Sequence, residues 1–164
     1  MKTQTIILLS SIFLTGLMAG IFFTWSNAVK PGIGKLNDLD YLSALQSMNR
    51  VILNSAFLIV FVGAIVSVAL VPVFHFHMYP KNIFWLLILI VIIYWVGVFF
   101  VTIFGNIPLN EILDKRNLSV MNPEDLSLLR DSIEDKWNNF NLIRSISSAI
   151  SFLLLIVSFT LVDK

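Results

Sequence analysis

The chain has no cysteine, which excludes disulfides, thiolate metal sites and cysteine nucleophiles and leaves its redox compartment undetermined. It also has little charge. Charged residues make up 13% of the 164 residues, against roughly a quarter in an average soluble chain. Neither sign dominates, since the formal net charge is +1, so no basic surface points to nucleic acid. The sequence holds no His-Glu-x-x-His, no Gly-x-Ser-x-Gly elbow and no phosphate-binding loop, and no internal repeat.

What is present is apolar. Hydrophobic residues reach 57% and the mean hydropathy is +0.88. No charge falls between Lys2 and Lys30, Arg50 and Lys81, Lys81 and Glu111, or Arg144 and Asp163, which leaves windows of 27, 30, 29 and 18 residues. A membrane-spanning helix needs about 20 mostly apolar residues, and a charge at its centre costs about 2.5–3.5 kcal/mol on insertion scales. The reading is therefore all-α: one transmembrane four-helix bundle over residues 1–164, with spans near 5–28, 51–71, 83–104 and 142–161 and helix four extended beyond the membrane by an amphipathic segment at 123–141. The first window begins like a signal peptide, but the apolar run from Thr5 to Trp25 exceeds the roughly 7–15 residues of a signal core, so it reads as a retained helix.

Breakers divide the chain. Pro31, Gly32 and Gly34 end helix one, near Ala28, and Asn37 to Asp40 can cap helix two, read as one helix from Tyr41 to Val71. Pro72 and Pro80 bound a short second loop. Helix three runs from Ile83 to Phe104, where Pro108 kinks or ends it, and a third loop reaches Phe140. Within that loop Asn122-Pro123-Glu124-Asp125 is a strong helix start, because Asn favours the N-cap, Pro the first helical position and acids the first turn. Leu126, Leu129, Ile133 and Trp137 follow as one stripe with no breaker after them, so a single helix is expected from Pro123 to Leu161. Gly16 and Gly20 form a small-xxx-small packing pair.

Four spans bring the ends of helices one and three to the same membrane side as the starts of helices two and four. The polar residues favour that side: Trp25, Asn49, Arg50, Asn54, Asn106, Asn110, Trp137, Asn141 and Arg144. Trp137, Asn141 and Arg144 follow i, i+4, i+7 spacing and share a face. Such groups are costly in a dry bundle unless paired, and Asn and Arg together offer several donors and acceptors. Asn106, Asn110, Asn141 and Arg144 are the candidate catalytic residues, and Trp25, Asn49, Asn54 and Trp137 the candidate substrate contacts. The competing reading makes them caps, interface anchors and interhelical bridges. No metal site and no cofactor is expected: His75 and His77 read as interfacial loop histidines rather than ligands, since a metal would need further donors. The absence of Asp and Glu from the spans argues against ion-coupled transport.

The segments "GLMAGIFFTWSNAVKPGIGKL", "MNRVILNSAF", "GNIPLNEIL" and "WNNFNLIRSISSAISFLLL" resemble the anthrone-oxygenase-like family of small four-helix membrane proteins, over about Gly16 to Leu155. The matching positions are Pro31, Asn49, Asn106, Pro108, Asn110, Trp137 and Arg144. The resemblance implies a multi-pass protein, expected in the bacterial inner (plasma) membrane. Its fungal relatives oxidise anthrones to anthraquinones with molecular oxygen and no evident cofactor. The implied partners are the lipid bilayer and an apolar aromatic small molecule. The alternative is a non-catalytic membrane protein, either a partner subunit or a lipid or quinone binder. Eight Lys and Arg flank loops one and three against three on the other side, so the positive-inside rule puts those loops in the cytoplasm and both termini outside.

Overall fold

The computed structural model describes residues 3–76 and 81–162. Every regular element among them is helical. Four helices are long and apolar enough to cross a membrane: α1 (Thr3–Ile33), α3 (Ser55–His75), α4 (Lys81–Asp114) and α5, which runs without interruption over Pro123–Val162. A shorter helix, α2 (Asp38–Val51), precedes α3, and a 3-10 turn, Leu118–Val120, precedes α5. At about 1.5 Å per residue α5 is ~60 Å long, about twice the hydrocarbon thickness. Its N-terminal half therefore stands outside the membrane, as the stripe in the sequence implied.

Helix two of the sequence reading is two helices. The chain leaves helical geometry at Asn54 (φ −95, ψ 163), whose Oδ1 accepts the backbone N–H of Phe57 at 3.0 Å and caps α3. Asn54-Ser55 is a legible cap, but the apolar run Val51-Ile52-Leu53 ahead of it masked the break. Three prolines do not themselves stop their helices, though helix one does end among its breakers, at Ile33 with Gly34 as C-cap. Pro72 lies inside α3, which continues to His75. Pro31 and Pro108 sit in the first turn of the last α-helical stretches of α1 and α4. Each of those stretches follows a π-helical segment, Trp25–Val29 in α1 and Thr102–Asn106 in α4, where the hydrogen-bond ladder is already changing register. There a missing N–H disrupts little. A further π-helical segment, Trp95–Phe100, precedes Thr102–Asn106 in α4 with only Val101 between them.

In the bundle α1 packs between α3 and α5, and α4 packs on the other side of α5. Leu8, Met18, Phe22, Phe61, Val68, Leu87, Ile90 and Leu155 make the membrane core. A second core lies outside the membrane. There Tyr41, Leu42 and Leu45 of α2 meet Leu113, Leu118, Leu126, Leu129, Ile133 and Trp137. The first turns of helix two, read as continuous with its span, instead form this small cap with the extension of α5. Tyr94 is fully buried, whereas Trp85 is exposed.

Close helix approach in the bundle is made at glycine. Gly97 of α4 lies directly against Ser147 of α5, where an added Cβ would overlap Oγ, and Gly105 lies against the Phe140 ring. Gly16 packs on Phe152, but nothing approaches Gly20, so the pair expected there contributes one contact position. Gly97→Ala should lower stability in detergent by about 3 kcal/mol, the upper range for overpacking. Gly97→Ala/Ser147→Gly should recover most of the loss. Thermal unfolding monitored by circular dichroism checks both.

Candidate functional site

Between the cap and the membrane core lies a chamber of about 480 Å³, within the usual range for small-molecule sites. The ends of α1 and α2, the start of α3, the π-helical stretch of α4 and the middle of α5 enclose it. All eight residues singled out in the sequence border it: Trp25, Asn49, Asn54, Asn106, Asn110, Trp137, Asn141 and Arg144. The rest of the wall is largely apolar, with Phe22, Met48, Phe57 and Phe61 among its members.

On the cap side the chamber is closed by a hydrogen-bonded group. Asn110 Oδ1 accepts from Asn49 Nδ2 at 2.9 Å and from Trp137 Nε1 at 2.7 Å, joining α2, α4 and α5 at one atom. Asn106 Nδ2 donates to the Trp137 carbonyl at 3.2 Å. Pro108 does not separate Asn106 from Asn110, because the helix passes through it. The Trp25 and Trp137 rings lie 4.3 Å apart, tilted by 47°, and Trp25 Nε1 donates to Asn138 Oδ1 at 3.1 Å. Asn54 borders the chamber, but its amide oxygen caps α3 and its nitrogen donates to the Val51 carbonyl at 2.9 Å.

Deeper toward the membrane sits Arg144, which is 7% exposed. Its guanidinium donates to Asn141 Oδ1 at 3.0 Å and to Thr102 Oγ1 at 3.4 Å. It also lies over the Phe22 ring, 4.5 Å from its centroid, and 5.5 Å from that of Trp137. Asn141 is held in turn by donating to the Phe22 carbonyl and to Ser26 Oγ. Two of the five guanidinium N–H groups thus find protein acceptors. No carboxylate borders the chamber, and none pairs with Arg144 among the described residues. Arg144 Nε and Asn106 Oδ1 are buried and make no hydrogen bond among the described residues.

Thr102 and Asn138 belong to this network and escaped the sequence reading. Thr102 looks like an ordinary span residue, and Asn138 lies one step off the Trp137–Asn141–Arg144 face. The periodicity of Asn138, Asn141 and Ser145, all buried, was the available signal. His75 is not an interfacial loop residue. It lies in α3, buried, with Nδ1 2.6 Å from the Val71 carbonyl. His77 lies outside the described residues. No three His, Cys, Asp or Glu side chains converge among the described residues.

The cap is fastened over the chamber by Arg130. Its guanidinium donates to Glu134 at 2.6 Å, Asp38 at 3.0 Å, and the carbonyls of Leu36 and Gly34 at 2.9 and 3.0 Å. It also lies 4.4 Å from the Tyr41 ring centroid. The hydrogen bond to Glu134 raises the Arg130 pKa above its ordinary value. Burial, and next Glu134, pushes the Tyr41 phenol up to about 12, so it stays neutral. Arg130→Ala should cost the cap about 2 kcal/mol, as for hydrogen bonds to charged groups. Hydrogen exchange should show α2 amides accelerating while those of the spans do not.

A family model described as anthrone oxygenase matches residues 47–154. The matched stretch contains every chamber residue singled out in the sequence except Trp25, and the first segment of the resemblance lies outside it. No curated protein and no solved structure matches the chain.

Proposed function

The chain belongs to the anthrone oxygenase family, and on that premise we propose that this multi-pass membrane protein oxidises an apolar aromatic ketone of the anthrone class with dioxygen, in the chamber beneath the cap. The observation that carries this reading is Arg144, a buried cation at membrane depth with no acid to neutralise it. Placing a charge there is expensive and is not required to build a bundle, which marks it for function. A substrate that becomes anionic inside the chamber supplies the missing partner.

The chemistry follows. The methylene carbon of an anthrone loses a proton, and the negative charge passes to the ring carbonyl oxygen as an enolate. Arg144 stabilises that oxygen in a wall of low polarity, where such a contact is far stronger than in water. Dioxygen then forms a C–O bond at the same carbon. Loss of water breaks the O–O bond and the remaining C–H bond, leaving the quinone. The carbon gives up four electrons, dioxygen takes up four, one oxygen atom stays in the product and the other leaves as water. Among the described residues no Asp, Glu, His or Lys borders the chamber, so the departing proton goes to a water molecule inside it, and Arg144 contributes by making the enolate less basic. Trp25 and Trp137 pack against the planar rings, and Asn106 Oδ1 accepts from a ring hydroxyl.

Binding tests the reading directly. Anthraquinone added to the protein in bilayers should quench the emission of Trp25 and Trp137 saturably, with Trp85→Phe/Trp95→Phe removing background signal. Quenching that rises linearly and is unchanged in Arg144→Ala would count against a site here.

A further inference from the structure

We infer that the chamber opens sideways into the bilayer, through the seam between α3 and α4, and that it takes its substrate as an uncharged compound dissolved among the acyl chains rather than from water. This rests on the chamber's being a binding site, but its evidence is separate from the chemistry proposed above.

The seam is open because of how α4 packs. Below, α3 lies on α4 chiefly along Lys81–Tyr94. Above Tyr94 the two π-helical segments begin, and α4 leans onto α5 instead, with Gly97 against Ser147 and Gly105 against Phe140. Among the described residues, α3 does not pack appreciably on either π-helical segment; it packs on α1, with Gly63 against Leu14. The α3–α4 pair therefore separates toward the cap, at the level where the chamber lies.

The rim of this opening is apolar and exposed. Leu58 of α3, Ile107 of α4, and Val51 and Leu53 of the α2–α3 break all line the chamber, and they are 43%, 37%, 69% and 67% exposed. Ser47 and Asn54 are exposed at the α2 end and the α2–α3 break, whereas the polar groups deeper in the chamber, Asn106, Asn141 and Arg144, are buried. A mouth facing water would carry the reverse order, because exposed apolar side chains at a wet rim gain nothing from solvent. At the start of a spanning helix the same rim is in contact with lipid. The route from the cap is closed by the Asn49–Asn110–Trp137 bonds and by the apolar core of Leu45, Leu113 and Ile133 behind them. Only an uncharged molecule crosses such a rim cheaply, so ionisation of the substrate follows entry and takes place beside Arg144.

The test uses the full chain carrying Trp85→Phe/Trp95→Phe, so that emission comes from Trp25 and Trp137. In vesicles of phosphatidylcholine brominated near the headgroup end of its acyl chains, that emission should fall by more than half relative to unbrominated vesicles, while acrylamide in the water should change it little. Quenching by acrylamide without quenching by the brominated lipid would overturn the lateral opening, and so would resistance to both. If the double variant does not fold, wild-type chain labelled with fluorotryptophan gives the same comparison by fluorine relaxation from a lipid-borne against a water-soluble nitroxide. Neither measurement depends on turnover, so an inactive protein with strong lipid quenching would sink the proposed reaction and leave the opening standing.

Discussion

Arg144→Ala should lower kcat/KM for anthrone oxidation by about 10²–10³-fold, the usual cost of removing one group aimed at developing negative charge. Arg144→Lys should fall between the two, since lysine keeps the charge but not the planar fork that reaches Asn141 and Thr102 together. Arg144→Ala should nevertheless leave thermal stability unchanged or raise it. Arg144 is buried without an acid, and removing an uncompensated buried charge relieves its desolvation. This opposition separates catalysis from structural glue. If Arg144 serves only to hold the bundle together, Arg144→Ala melts early and any activity is lost in proportion to folded protein.

Asn110→Leu should have the reverse profile, a loss of stability of about 3 kcal/mol. Asn110 Oδ1 is the shared acceptor of Asn49 Nδ2 and Trp137 Nε1. Leucine leaves two largely enclosed donors without a partner, at about 1–3 kcal/mol each. Asn49→Ala removes one donor and keeps the Trp137 bond, so about 1 kcal/mol is expected there. Trp137→Phe in the Asn110→Leu background should recover part of the loss, because it deletes one of the stranded groups. Thermal unfolding of these three variants, of Trp137→Phe alone and of wild type in one detergent makes a double-mutant comparison. Equal destabilisation by Asn49→Ala and Asn110→Leu would contradict the shared-acceptor arrangement.

These two residues also show what a sequence conveys. Trp25, Asn49, Asn110 and Arg144 are far apart in the chain, yet counting four spans places them at one end of the bundle, since each crossing reverses direction. Membrane insertion forces that inference, because charge-free windows mark where the chain crosses. What the windows do not mark is a change within an apolar run. The break at Asn54 followed three apolar residues that continued the helical pattern. The π-helical segments change the ladder without changing composition, so the sequence does not show that the helix passes through Pro31 to its C-cap at Gly34, or through Pro108. The cap was hidden for a different reason: its apolar stripe from Leu126 to Trp137 was visible, but its partner, α2, read as the first turns of helix two. Thr102 was invisible because a hydroxyl in a span ordinarily bonds its own backbone, as Thr102 does to the Val98 carbonyl while also receiving Arg144.

The central claim is that the chamber carries out an oxygen-dependent oxidation in which Arg144 stabilises an enolate. Oxygen uptake by purified protein in bilayers given anthrone, followed together with anthraquinone absorbance, tests it most directly. The account predicts one dioxygen consumed per quinone formed, at a rate well above that of protein-free bilayers and lost in folded Arg144→Ala. Oxygen uptake no faster than in protein-free bilayers, or an Arg144→Ala rate equal to wild type, would contradict it.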